Sequence, residues 1–139
     1  MSASFEEKSV WIQLAGVVLG TGAYFVVAGA MMWNGVRALP AYAGPFMVAT
    51  VLMVVLMVAG FVVTALSGQR EDRDERDRLI AWRSEYHSSW LLAVGVLAGV
   101  TAMVFSVENV WVAHLLFASL VISEVLALVL RLRDYRRGL

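Results

Sequence analysis

Four uninterrupted apolar runs leave this chain very few folds. Val10 to Trp33, Phe46 to Leu66, Trp90 to Val107 and Val110 to Leu130 each approach or exceed the roughly twenty helical residues that a hydrocarbon core demands. In a chain of 139 residues, 60% of them hydrophobic, such runs cannot all hide in a soluble core. They are continuously apolar, whereas strands of a membrane barrel alternate with polar lumen residues, so helices are expected. The predicted fold is all-α. It is a polytopic membrane protein with four transmembrane helices at about 10–33, 46–66, 70–107 and 110–131, in a single domain over 1–139. Glu6 and Glu7 stand where a signal peptide would carry positive charge alone, so the first run is expected to stay as helix one.

Cations fix the expected orientation. Of eleven Lys and Arg residues, all but Arg37 fall in three segments: Lys8 before the first run, Arg70, Arg73, Arg76, Arg78 and Arg83 after the second, and Arg131, Arg133, Arg136 and Arg137 after the fourth. The positive-inside bias then puts both termini and the central charged segment in the cytosol. The loops expected outside are 34–45, with Pro40 and Pro45, and a tight turn at Glu108 and Asn109. Trp11, Trp82 and Trp90 mark the inner headgroup level, and Trp33 and Trp111 the outer one.

Sliding the chain by 79 residues lays Glu6, Ser9, Trp11, Gly16, Val17, Gly20 and Ala23 on Glu85, Ser88, Trp90, Gly95, Val96, Gly99 and Ala102. Both segments start on the same side, so the repeat predicts two tandem helical hairpins related by an axis near the membrane normal. It also puts a GxxxG pair on each first helix. Lipid supplies no hydrophobic force between helices, so Gly16, Gly20, Gly95 and Gly99, with Gly60 on helix two, are expected packing positions in the bundle or in an oligomer.

The segment 68–87 is spaced as a helix, with Asp72 and Arg76, and Asp74 and Arg78, as acid-first i,i+4 pairs. Helix three is therefore expected to extend into the cytosol. Arg73, Asp74, Arg76, Asp77 and Arg78 form either a self-paired solvated extension or a surface for a cytosolic protein, and the interleaved acids disfavour a polybasic lipid site. The opening Phe5-Glu6-Glu7-Lys8-Ser9 with Trp11, the D-x-R-D-x-x-I pattern at Asp74, Arg76, Asp77 and Ile80, and Glu85-Tyr86 resemble an uncharacterised family of small four-helix bacterial inner-membrane proteins. Its members are often encoded beside a helix-turn-helix regulator. The resemblance implies a multi-pass protein of the bacterial inner (cytoplasmic) membrane, and a sensor or anti-regulator holding a cytosolic regulatory partner. It carries over no catalytic residue.

Glu124 lies well inside the fourth run, seven residues or about 10 Å from Arg131. An ionised group at that depth costs several kcal/mol unless it is paired or hydrated, which makes it a site candidate. Counting from the cytosolic ends, the glycines 16, 60 and 95 lie at a similar depth, Gln13 and Thr64 slightly nearer the cytosol, and Ser123 is adjacent. These residues are expected to frame a small polar pocket. A helical wheel puts His114, Phe117, Val121, Glu124, Leu128 and Arg131 on one stripe, expected to face the bundle interior. His114 is expected at the outer headgroup level, and Tyr24 near the midplane, bonded to a backbone carbonyl or to Thr101.

Without cysteine, disulfides and thiolate metal sites are excluded. A formal net charge of zero disfavours direct nucleic-acid binding. No nucleotide loop, zinc helix or catalytic triad can be assembled, so neither cofactor, metal nor enzymatic activity is expected. Two functions fit: a sensor or scaffold that presents the charged helix to a partner, or a small homo-oligomeric proton- or cation-linked transporter or channel using Glu124. A weaker third is a lipid or quinone transferase using Arg83, Glu85 and His87 at the interface.

Overall fold

The computed structural model describes residues 5–66 and 75–137. Four α-helices, α1 Phe5–Trp33, α2 Ala43–Leu66, α3 Glu75–Val104 and α4 Asn109–Arg137, account for nearly all of these residues, and a short 3-10 turn, Leu39–Tyr42, leads into α2. Each α-helix is long and apolar enough to cross a membrane. Helix bounds depart from the apolar runs: α2 already starts at Ala43 and takes in Pro45, and α3 stops at Val104 instead of 107. The chain is already helical at Phe5, and α4 continues past Leu130 because Leu132 and Tyr135 extend its apolar face onto Val10 while Arg136 reaches Glu7 at 3.9 Å. The part of the expected third helix at 70–74 lies outside the described residues, as do Arg73 and Asp74.

The first and third helices end in the same way. Past α1, Gly35 takes a left-handed conformation (φ 82°), its N–H reaching the Met32 carbonyl while that of Val36 reaches Met31, both at 3.0 Å. This paired closure satisfies two carbonyls that the helix end would leave exposed. After α3, Ser106 (φ 59°) and Val107 repeat it onto Met103 and Ala102. Glycine suits that conformation, and a serine there costs about 1 kcal/mol. Arg37 joins the two connections: its guanidinium lies 3.8 Å from Glu108 and 5.1 Å from the centre of the Trp111 ring.

α1 and α4 pack together at the centre, α2 packs on α1, and α3 on α4. The contacts are made by small residues, as close approach in lipid requires. A Cβ added to Gly16 would sit 2.9 Å from Met57 Cγ, and one on Gly20 2.6 Å from Met53 Cβ; Gly60 faces Ile12 as closely. On the other pair, Gly95 lies against Ser119 and Gly99 against Leu116. All five glycines expected to pack helices thus lie at crossings between α1 and α2 or between α3 and α4. Serines continue the α3–α4 seam, Ser123 Oγ donating to the Ser88 carbonyl at 2.9 Å.

Outward faces are strongly apolar. Val26, Val63 and Leu66 are 75%, 69% and 82% exposed, and in α2 only Ala49 and Thr64 are buried. Continuous apolar surface on this scale would aggregate in water, and lipid is the solvent that suits it.

Candidate functional site

Two buried side chains from distant parts of the sequence meet where α1, the 3-10 turn and α4 converge. Tyr24 Oη lies 2.9 Å from His114 Nε2, and His114 Nδ1 lies 2.6 Å from the Val110 carbonyl. A carbonyl can only accept, so Nδ1 carries the ring proton and Nε2 accepts the tyrosine O–H. Tyr42 packs edge-on against the imidazole at 4.8 Å and donates its own hydroxyl to the Val36 carbonyl at 2.8 Å, which ties the connection down over the pair. Tyr24, Phe46 and Phe117 touch one another edge to face, with ring centres 5.3–5.7 Å apart.

These aromatic rings separate two cavities. One, of about 260 Å³, is lined by Leu39, Tyr42, Ala43, Ala113 and His114 together with the three rings. The other, of about 380 Å³, is a groove floored by Val17, Gly20 and Thr21 of α1 and walled by Ala49, Thr50, Met53 and Met57 of α2 and by Leu120, Val121 and Glu124 of α4, again with the three rings at its end. α2 and α4 flank it without packing closely on each other, so it opens sideways between them.

Glu124 is exposed at this opening. Among the described residues its carboxylate has no hydrogen-bond or ionic partner. The expected interior stripe holds in part: His114 and Leu128 are buried and Phe117, Val121 and Arg131 are half-buried, yet at Glu124 no helix stands opposite. The expected polar pocket is not formed. Gln13 turns to Ser9 Oγ at 3.5 Å, Thr64 donates to the Gly60 carbonyl at 2.8 Å, and Ser123 faces α3. Although these residues lie at neighbouring depths, their different azimuths send them to different seams.

One further expectation is corrected. Tyr24 bonds to His114, which is buried at 8% exposure, and not to Thr101, which donates to its own helix at Leu97. Depth counted from helix ends had separated the pair. Trp33 lies nine residues beyond Tyr24 and Asn109 only five before His114, so α1 overshoots the start of α4 by about 6 Å at the helical rise.

At the opposite end of the bundle, Arg131 donates to Ser84 Oγ at 3.2 Å and pairs with Glu85, and Arg136 stacks 5.5 Å over Trp11. Asp134 is buried beside this seam, its Oδ1 without a hydrogen bond and 3.5 Å from Arg133 Nε. Arg76 and Arg78 are exposed on the first turn of α3, and Asp77 is half-buried. Arg83 and His87 are exposed, with Glu85 held by Arg131 and not turned toward His87 as a paired catalytic group would be. Among the described residues no three His, Asp or Glu side chains converge as a metal would require. No family model, curated protein or solved structure matches the chain.

Proposed function

We propose that this chain is a non-enzymatic multi-pass protein of the bacterial inner membrane, built as two tandem hairpins with its termini and the start of α3 in the cytosol. It acts as a sensor or scaffold. The groove at Glu124 takes up a membrane-soluble species, and the charged start of α3 presents the outcome to a cytosolic protein, as the resemblance to the four-helix family implies. One observation carries the reading: an exposed carboxylate, without a partner among the described residues, stands near the middle of α4, a helix apolar enough to cross a membrane, beside an apolar groove. Left bare in hydrocarbon it costs several kcal/mol, which an occupant would offset.

Orientation is supported by one end of the bundle, where Arg131 pairs with Glu85 and lines a single cleft with Asp77 and Arg78, and where Arg136 lies 3.9 Å from Glu7. The chain has no cysteine, so a single cysteine at Arg76 or at Leu39 reports sidedness directly. A membrane-impermeant maleimide on intact cells is expected to label position 39 and to leave 76 unlabelled until lysis. Labelling at 76 in intact cells would overturn the topology. For the partner surface, reversing Arg76 and Arg78 to glutamate is expected to abolish salt-sensitive co-purification of the cytosolic protein and to leave the melting temperature of the bundle within about 2 °C, as for exposed substitutions generally. Co-purification that survives both reversals counts against the scaffold.

The sideways opening between α2 and α4 favours a second reading, an oligomeric proton- or cation-linked transporter in which another copy closes the groove. In that case Glu124→Gln abolishes flux in liposomes, while the reversals at 76 and 78 leave it intact.

A further inference from the structure

The composition of the groove wall narrows what can occupy it. Its polar groups are Thr21, Thr50, Tyr24 and Glu124. Thr21 Oγ1 donates its proton to the Val17 carbonyl at 2.6 Å, Thr50 Oγ1 donates to Phe46 at 2.8 Å, and the Tyr24 proton is committed to His114. Every hydroxyl proton is therefore spent within the protein. What remains toward the groove is acceptor capacity: hydroxyl lone pairs and a carboxylate. The lining contains neither Lys, Arg nor His and no free N–H donor among the described residues, since the helical backbone is bonded to itself. An anion finds no counter-charge there, and with Glu124 ionised a neutral carbonyl compound such as a quinone finds no donor.

A cation finds both of the things it needs. Glu124 supplies the opposite charge at the groove mouth, and Tyr24, Phe46 and Phe117 supply aromatic surface seven residues, about 10 Å, further along α4. Aromatic faces attract cations and accept apolar bodies equally well. The volume of about 380 Å³ falls in the range of small-molecule sites. Resting on the reading of the groove as a ligand site, we propose that it binds a lipophilic organic monocation that enters sideways from the bilayer, its charge against Glu124 and its apolar groups against the three rings.

The test uses two ions of nearly one shape and opposite charge, tetraphenylphosphonium and tetraphenylborate, with the full-length protein in phosphatidylcholine nanodiscs. Saturable binding of the phosphonium, one per chain, is expected, with the borate showing only the linear uptake of empty discs. Glu124→Gln is expected to weaken phosphonium binding by about tenfold or more, Glu124→Asp to retain most of it, and Thr50→Trp, which fills the groove wall, to remove it. Phosphonium binding unchanged in Glu124→Gln, or unchanged in Thr50→Trp, overturns the proposal. If the borate alone binds saturably and Thr50→Trp abolishes this, the cation class falls and the groove stands as a ligand site. If neither ion binds saturably, the groove reading falls with it.

Discussion

Replacing Gly95 with leucine is expected to push α3 and α4 apart and to cost about 2–4 kcal/mol of bundle stability, by overpacking and by lost interhelical hydrogen bonds. The reason is the partner it meets. A Cβ at Gly95 would overlap both Oγ and Cβ of Ser119, and because the backbone fixes a Cβ, rotation of the serine side chain cannot relieve the contact. Separation then strains the two bonds further along the seam, Ser123 to the Ser88 carbonyl and Arg131 to Ser84. A control is supplied by Gly22, which has nothing within 4 Å of an added Cβ. Gly22→Ala is expected to be neutral or to stabilise by up to about 1 kcal/mol through helix propensity. Reversible unfolding in mixed micelles measures both. The pair Gly95→Ala and Ser119→Gly gives a double-mutant cycle in which the second change rescues the first. Wild-type unfolding of Gly95→Leu would mean that the two helices do not approach at this point.

The crossings and the GxxxG positions were legible because both are local properties of sequence: an apolar run needs no neighbour to be read, and a glycine among large residues marks close approach wherever it falls. Helix ends were less so. Hydropathy marks where lipid begins, and the turns at 5–9 and 131–137 remain helical because Val10, Leu132 and Tyr135 still have each other to pack against. The site was legible residue by residue but not in its arrangement. A wheel assigns Glu124 to the same face as His114 and Leu128, and it cannot say that α2 stands too far from α4 to cover that face. Likewise, depth counting assumes helices cut flush, and the overshoot of α1 is what brings Tyr24 to His114.

That pairing carries the second large effect. Tyr24→Ala is expected to destabilise the bundle by about 3 kcal/mol, and Tyr24→Phe by only about 1 kcal/mol. In lipid the transfer term for an apolar group is small, so the difference between these variants isolates packing. Phenylalanine keeps the contacts with Phe25, Phe46 and Phe117 and loses only the bond that satisfies His114 Nε2, whereas alanine loses both. Each aromatic pair contributes about 0.5–1.5 kcal/mol, which makes the rings the larger share. Geometry adds a second consequence. Tyr24 lines both the cavity of about 260 Å³ under the 3-10 turn and the groove of about 380 Å³ at Glu124, so its truncation removes part of the wall between them. A single cysteine at Ala49, a groove residue 9% exposed, is therefore expected to react with a membrane-impermeant thiol reagent about tenfold faster in the Tyr24→Ala background than with Tyr24 or phenylalanine in place. Equal rates in all three backgrounds would show that the aromatic cluster is packing alone and does not divide the cavities.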